Sequence, residues 1–409
     1  MPDAVHVPPP AAALLDRFER VRARTLALAE PLSAEDMAVQ SMPDASPVKW
    51  HLAHTTWFFE TFLLLPHAGA APVDPAYGYL FNSYYEAAGP RHARPKRGLL
   101  TRPSLADVLD YRSRVDGAMR RWLAGTQQAP EVLALLELGL NHEEQHQELI
   151  LTDLKHLLSE NPLKPAYAAP AAAEGKAPAL SWHPHPGGLA EIGHAGPGFA
   201  FDNEGPRHRV WLEPFELASR PVTAGEYLEF VLDGGYRDPR HWLSDGWAAV
   251  QAQGWAAPAY WREEGGRWLV FTLSGERPLA PDAPACHLSH YEADAYARWA
   301  GCRLPTEAEW ETVAAPLWRQ VGQALHPPPA AGFPAGVWEW TASAYLPYPR
   351  FRPAEGAVGE YNGKFMSGQM VLRGASCATP AGHSRPTYRN FFPPGARWQV
   401  SGLRLARDA

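Results

Sequence analysis

Helical periodicity fills the first 160 residues of this 409-residue chain and then stops at a segment rich in proline, alanine and glycine. Before residue 160, apolar side chains recur at helical spacing in four stretches, which predicts four amphipathic helices. Such helices bury their apolar faces against one another in a bundle. The composition of residues 161–188 is typical of a linker. We therefore predict a helical bundle over residues 1–160, a linker over 161–188 and a second domain over 189–409.

The second domain is predicted to be an irregular α+β structure. Short β-like segments at residues 208–212 and 267–273 alternate with Gly and Pro turns, and residues 224–232 and 292–300 have helical character. The chain contains 16 Trp, 42 Pro and 34 Gly, which is typical of loop-rich structure packed on large aromatic side chains.

The amino-acid composition argues against several classes of protein. Lys and Arg number 37 against 44 Asp and Glu, a net charge of −7, whereas a nucleic-acid binder normally has a basic excess. Three cysteines cannot form a disulfide framework and fit free thiols in a reducing compartment. The N-terminus lacks a signal-peptide pattern, and the most apolar stretch, 57–65, is too short to span a bilayer. We expect a cytoplasmic protein with small-molecule partners and with neither nucleic acid nor membrane as a partner.

A histidine pair in the fourth predicted helix is the strongest chemical signal. His142 and His146 lie four residues apart, so they share one helical face and can bind one metal ion together. A third ligand must come from elsewhere. The second predicted helix carries His51 and His54, and either side chain could point toward the pair.

The spacing of this pair leaves the identity of the metal open. Glu143 directly follows His142, as the glutamate does in zinc proteases, so a zinc hydrolase is one alternative. A non-heme iron oxygenase is the other, because such enzymes use three protein ligands and keep open coordination positions.

A long segment between the second and third predicted helices, residues 66–103, is a second candidate site. Tyr84 and Tyr85 offer phenols that can supply a proton or an electron near a metal. Arg91 and Arg94 lie three residues apart and can hold a carboxylate. The alternative is that these side chains only pack the loop or face solvent. Adjacent residues of an extended segment point to opposite sides, so we expect one hydroxyl to face the metal and favour Tyr85.

Motifs in both halves resemble known families. The first half is similar to DinB-type helical bundles, which bind a divalent metal through three histidines. The second half resembles formylglycine-generating enzymes (sulfatase-modifying factors), a variant of the C-type lectin fold. The carrying motifs are Arg303–Trp310, Val337–Thr341, Arg373–Ser376 and Gly402–Arg404. The two domains in this order resemble the iron-dependent sulfoxide synthases of ergothioneine biosynthesis and the closely similar selenoneine synthases.

The resemblance implies a reaction and a metal site. The substrate would be hercynine, the betaine of Nα-trimethylated histidine. Fe(II) and O2 would serve to bond a sulfur donor to imidazole C2 and oxidise the sulfur to a sulfoxide. The positions that match the iron ligands are His54, His142 and His146, with His51 as the runner-up.

The resemblance also implies substrate contacts. Gln145 matches a glutamine that hydrogen-bonds the substrate imidazole, and Arg91 and Arg94 match arginines that hold the donor's carboxylate. Asn390 and Phe391 match a segment that lines the hercynine pocket. The resemblance places that pocket between the two domains, with the metal held by the bundle.

Differences between this sequence and the family motifs indicate which sulfur donor is used. Phe392 stands where one type of these synthases has an acidic residue that helps hold γ-glutamylcysteine. The Tyr84–Tyr85 pair resembles the second type, which uses free cysteine. Cys377 is alone where formylglycine-generating enzymes have a copper-binding cysteine pair. We therefore expect cysteine as donor, with a selenosugar as the alternative. A zinc hydrolase, or a lectin-like ligand-binding module without catalysis, are alternatives from other classes.

Overall fold

The computed structural model describes residues 7–125, 127–169, 175–320, 322–353, 359 and 361–409. The backbone divides into two compact units. The first unit consists of Met1–Asn161 together with Ala195–Phe201 and Arg352–Gly363. The second unit consists of Pro162–His194, Asp202–Phe351 and Lys364–Ala409. Two short segments of the predicted second domain, residues 189–409, therefore belong to the first unit.

The first unit is helical, and the predicted four-helix bundle is confirmed. Its helices are α1 (Ala11–Ala29), α2 (Ala34–Ala38), α3 (Val48–Phe59), α4 (Leu65–His67), α5 (Tyr77–Leu80), α6 (Leu105–Gly125) and α7 (Pro130–Glu160). The four long helices are α1, α3, α6 and α7, and α7 has Pro at its first position, where the missing N–H costs nothing. None of the described helices is long and apolar enough to cross a membrane.

Helix α3 lies at the centre of the bundle, because every one of its residues is buried. Such all-round burial is typical of a helix enclosed by other helices. A π-helical turn, Glu60–Leu64, joins α3 to α4. Turns of this kind occur often beside functional sites. The helical path that begins at Val48 therefore continues to His67.

In its described residues, the second unit contains four sheets and four α-helices. The strands are β1 (Trp182–His185), β2 (Gly188–Ile192), β3 (His208–Leu212), β4 (Phe215–Ala218), β5 (Trp261–Glu264), β6 (Arg267–Thr272), β7 (Gly275–Pro278), β8 (Trp338–Ala344), β9 (Met370–Gly374), β10 (Asn390–Phe392), β11 (Ser401–Leu403) and β12 (Ala406–Asp408). The helices are α8 (Ala224–Leu232), α9 (Ser244–Gln253), α10 (His290–Trp299) and α11 (Glu307–Ala314).

The sheet order is irregular, as predicted for this half. The four-stranded sheet runs β10-β9-β8-β11, with a parallel pair between β11 and β8, and the three others are β1-β4-β12, β2-β3 and β5-β6-β7. Strand β3 and helix α8 have the predicted bounds, whereas β6 ends at Thr272 and α10 begins at His290. Strand β1 lies within residues 161–188, which the composition predicts to be a linker. Residues 170–174 of that range lie outside the described residues.

The motifs that carry the family resemblance form the scaffold of the second unit. Arg404 and Glu339 are completely buried and form an ion pair of 2.7 Å, and Trp310 Nε1 donates to the same carboxylate. Such a buried pair persists only when its charges and hydrogen bonds are satisfied together, as they are here. Cys286 and Cys377 are buried in one apolar cluster with Val337 and Val400.

Candidate metal centre

Three buried histidines converge in the first unit. His54 comes from α3, and His142 and His146 come from successive turns of α7. One ring nitrogen of each lies within 4.8 Å of the others. Nε2 of His142 is 3.3 Å from Nε2 of His54 and 3.1 Å from Nε2 of His146. The structure thus brings together the three positions that match the iron ligands of the family.

The outer ring nitrogens of two of these histidines orient the inner ones. His54 Nδ1 lies 2.6 Å from the carbonyl oxygen of Phe81, which can only accept, so Nδ1 carries the proton. His54 Nε2 then presents a lone pair to the centre of the cluster. Nδ1 of His146 lies 2.8 Å from a ring nitrogen of another histidine, which can donate or accept, and Nε2 of His146 faces His142. Inward lone pairs in a buried cluster are the donor set that a divalent cation requires.

The spacing of the inner nitrogens fits one ion. Two Nε2 atoms bound to one metal at about 2.1 Å lie roughly 3.0–3.4 Å apart when the angle between the bonds is about 90–110°. The two Nε2 separations from His142 fall in that interval. His142 Nδ1 has no hydrogen-bond partner among the described residues, so this ring is oriented by packing.

Burial keeps the three imidazoles neutral. It lowers the pKa of His142 to about 3 and holds the pKa values of His54 and His146 well below their ordinary range, with the neighbouring His142 adding to both shifts. Neutral imidazole is the form that binds metal. The cluster is therefore ready to bind a cation at neutral pH without first losing protons.

Aromatic rings enclose the cluster. The ring centroid of Trp50 is 4.6 Å from that of His54, and the ring of Phe58 is 4.9 Å from that of His142. The guanidinium of Arg97 packs over the ring of Trp50, with its Cζ 3.4 Å from the indole centroid. Arg97 is buried, and burial lowers its pKa to about 9. Its Nη atoms donate to the hydroxyls of Ser46 and Ser83.

The runner-up ligand, His51, is turned away from the cluster. Its Nδ1 lies 2.8 Å from Nδ1 of His146, and its Nε2 lies 3.2 Å from Oδ2 of Asp153. Both ring nitrogens are therefore used in contacts outside the set of three converging nitrogens. Of the two candidates on α3, the ring that converges with His142 and His146 is that of His54.

Glu143 does not play the part that a zinc hydrolase would give it. Its Oε1 accepts from Arg112 at 2.5 Å and from Thr25 at 2.6 Å, and its Oε2 accepts from Arg22 at 3.0 Å. Burial alone would raise the pKa of Glu143, but the charges of Arg112 and Arg22 outweigh it and lower that pKa to about 2. A general base must reach a water on the metal, and this carboxylate is bound to two arginines instead.

The loop tyrosines have different surroundings. Tyr85 is buried, and its ring packs among Trp57, Phe58 and Phe62. The hydroxyl of Tyr84 accepts a hydrogen bond of 2.7 Å from Arg94. Of the predicted pair, Tyr85 therefore lies in the aromatic wall that also contacts His142.

Both loop arginines are bound to protein groups. Arg91 pairs with Glu86 at 2.9 Å and donates to the carbonyl of Ser83. Arg94 donates to Tyr84 and to the carbonyl of Asp44. Each guanidinium has five N–H donors, and these contacts use only part of them.

Tyr361 is a site residue that the sequence did not indicate. It lies in the segment Arg352–Gly363 of the first unit, far along the chain from the bundle helices. Its ring meets that of His142 edge-on at 5.6 Å and stacks on that of Tyr85 at 6.3 Å. Its hydroxyl donates to Oε1 of Gln145, the residue matched to substrate binding. No local pattern marks this tyrosine, because its partners are joined to it only by the tertiary fold.

Asn390 and Phe391 begin strand β10 of the second unit. Both are half-buried, and Phe391 stacks on Tyr345 with centroids 4.1 Å apart. The Asn390 side chain accepts from the backbone N–H of Phe391.

Known proteins resemble the chain in both units. Residues 17–150 match the DinB superfamily, and residues 171–321 match the sulfatase-modifying factor enzyme 1-like domain. A hercynine oxygenase of Mycobacterium tuberculosis is 33% identical over 427 residues, which cover 95% of this chain and 97% of the relative. A hercynine oxygenase of Mycolicibacterium thermoresistibile is 33% identical over 442 residues, 98% of this chain and 96% of the relative. Ergothioneine biosynthesis protein 1 of Schizosaccharomyces pombe is 27% identical over 231 residues, 51% of this chain and 28% of the relative.

These matches define a two-domain protein with a DinB-type helical bundle and a C-type lectin-like domain of the sulfatase-modifying-factor type. The chain belongs to the hercynine oxygenase family.

Proposed function

We propose that the chain is an Fe(II)- and O2-dependent enzyme of ergothioneine biosynthesis that bonds a sulfur donor to imidazole C2 of hercynine. The observation that carries the proposal is the buried cluster of three neutral histidines with converging nitrogens. Three protein ligands leave open positions on an iron ion for O2 and a substrate. The names of two full-length relatives supply the substrate class, hercynine.

The reaction balances with cysteine as donor. The imidazole loses its C2–H bond and the thiol loses its S–H bond, while one C–S and one S–O bond form. The substrates give up four electrons, which reduce O2 to the sulfoxide oxygen and one water. Iron, when bound, would supply the redox chemistry with O2 and a positive charge that favours the thiolate.

His54, His142 and His146 would hold the metal, and their neutral rings would leave it a net positive charge. Gln145 would hydrogen-bond the hercynine imidazole. The hydroxyl of Tyr361 donates a hydrogen bond to the same amide group. A phenol held there can hold a proton close to the reacting imidazole. Tyr85 supports Tyr361 through its stacked ring and is the second candidate donor.

Two further substrate contacts rest on the family resemblance. Asn390 and Phe391 would line the hercynine pocket, and Arg91 and Arg94 would hold the carboxylate of cysteine. An Asn390→Ala variant with an unchanged KM for hercynine would contradict the first of these roles.

A selenosugar is the second candidate donor, with formation of a C–Se bond. One observation favours it, because Phe392 offers no charge to the amine of an amino-acid donor.

A donor competition tests the proposal. Protein freed of metal and reloaded with Fe(II) without O2 receives hercynine deuterated at C2, then cysteine, a selenosugar or both, and finally O2. Mass spectrometry should show one coupled product that has lost the C2 deuterium, and the donor in that product selects between the candidates. His142→Ala protein is the matched control and should give no product. Absence of coupling with both donors in iron-loaded wild-type protein would contradict the proposal.

A further inference from the structure

A chain of hydrogen-bonding groups leads outward from one of the three converging histidines. His146 Nδ1 lies 2.8 Å from His51 Nδ1, and His51 Nε2 lies 3.2 Å from Oδ2 of Asp153. The same carboxylate oxygen accepts from the backbone N–H of Ser46 at 2.8 Å. All three side chains are buried. Two imidazoles and a carboxylate are therefore joined in series in a region without solvent.

The chemistry of the groups allows one arrangement of protons when a metal is bound. If Nε2 of His146 binds the metal, Nδ1 of that ring carries the proton and must donate. His51 Nδ1 then accepts, so the single proton of neutral His51 sits on Nε2. That N–H points at the carboxylate of Asp153, which can only accept. Every member of the series has the partner that this arrangement requires.

Helical spacing on α3 and α7 brings these side chains together. His51 stands one turn before His54 on α3, so the helix that gives one converging histidine also supports another. Asp153 stands two turns after His146 on α7, on the same face. His51 thus bridges two positions of α7 from the facing helix.

We propose that His51 and Asp153 are positioning residues that fix the tautomer and ring orientation of His146 for metal binding. The inference rests on the proposed function only in so far as the three histidines bind a metal. Outer partners of ligating histidines typically contribute 10- to 100-fold to metal affinity. The competing explanation is that the series merely ties α3 to α7, which would affect folding and leave affinity alone.

Three variants separate these explanations. His51→Leu removes the acceptor for His146. His51→Asn keeps an oxygen near the position of Nδ1 but cuts the link to the carboxylate. Asp153→Asn keeps an oxygen for Ser46 and His51 but removes the negative charge. His156→Gln is the matched control, since His156 lies on the same helix and bonds Ser41 outside the series.

The measurement is the Kd for Co(II) of the metal-free full chain, read from the visible absorption of bound Co(II), together with the Tm of the metal-free protein. We expect His51→Leu to weaken Co(II) binding by about 10- to 100-fold. Asp153→Asn should weaken it by at least about 3-fold and His51→Asn by less than His51→Leu, with a changed Co(II) spectrum in each. His156→Gln should stay within about twofold of wild type.

The proposal is overturned if the folded variants of His51 and Asp153 all bind Co(II) within about twofold of wild type and only their Tm falls. If His51→Leu does not fold, the comparison of Asp153→Asn with His156→Gln decides by the same criterion. Because Co(II) binding is read without turnover, a failure of hercynine coupling leaves this result intact. Wild-type protein that binds no Co(II) would instead overturn the metal centre itself.

Discussion

The indole ring of Trp50 lies flat against the imidazole ring of His54, with centroids 4.6 Å apart and planes inclined by 11°. His54 is thereby held between a stacked ring and the carbonyl of Phe81, which accepts from its Nδ1. The ring plane and the tautomer of this histidine are both fixed before a metal arrives. Preorganisation of this kind lowers the entropic cost of binding.

Trp50→Ala should therefore cost stability as well as metal affinity. The side chain is buried, and truncation of a buried Trp costs about 3–5 kcal/mol of the free energy of unfolding. Urea denaturation measures the loss. Trp211→Ala is the control, because Trp211 is 67% exposed and its truncation should change the free energy by about 0.5 kcal/mol or less. Equal losses for the two variants would contradict the central position of α3.

Glu143→Gln should act on stability rather than on a hydrolytic step. The change removes the carboxylate that the buried guanidiniums of Arg22 and Arg112 share, while Asp116 still pairs with Arg22. Removal of one partner of a buried ion pair costs about 3–5 kcal/mol. Glu131→Gln, at the exposed start of α7, should cost less than about 1 kcal/mol. A Glu143→Gln protein of wild-type stability would show that the network with Arg22 and Arg112 is wrongly described.

The tyrosine roles are tested by three Tyr→Phe changes, since Phe keeps each ring. Tyr361→Phe loses the hydrogen bond to Gln145 and should lower kcat for coupling by about 10²-fold or more if the phenol handles a proton. Tyr85→Phe should have a smaller effect. Tyr84→Phe should mainly alter KM for the donor, because its hydroxyl accepts from Arg94. Steady-state assays with product analysis measure these changes in kcat and KM. A Tyr361→Phe enzyme with unchanged kcat would show that the Tyr361 phenol takes no part in the proton transfer.

Metal binding should stabilise the bundle. A ligand that binds only the folded state at a free concentration of 100 times its Kd adds about 2.7 kcal/mol. For a domain of this size that corresponds to a rise of roughly 5–10 °C in Tm. Differential scanning calorimetry of metal-free and Co(II)-loaded protein measures the shift. His142→Ala protein should show no shift, and a shift as large as that of wild type would place the metal elsewhere.

Sequence patterns predicted the bounds of some elements and the helix face on which side chains lie, because both depend on neighbouring residues. Helix α8 and strand β3 have the bounds that their residue patterns indicated, and the i, i+4 spacing of His142 and His146 put both rings on one face of α7. The sequence did not identify the third histidine of the cluster, because His51 and His54 both lie on a helix that is buried on every side. Only the packing of α3 against α7 decides between them.

What the sequence did not indicate depends on contacts between distant residues. Tyr361 is joined to the first unit by tertiary contacts across more than two hundred positions from Gln145. Glu143 has the spacing of a general base, but residues on α1 and α6 bind it. The arginines of the loop have the right spacing for a clamp, yet neighbouring groups of the protein already accept their hydrogen bonds. Spacing along the chain indicates which residues can act together and says nothing about competing partners.

The three-histidine centre is proposed to support iron- and O2-dependent coupling to hercynine. The most direct measurement compares metal-free protein loaded with Fe(II) or with Zn(II), each given hercynine and donor with and without O2, and reads coupled product by mass spectrometry. We expect product only with Fe(II) and O2 together, at a stoichiometry of one product per O2. Product from the zinc-loaded protein, or from the iron-loaded protein without O2, would rule out an iron- and O2-dependent coupling at this centre.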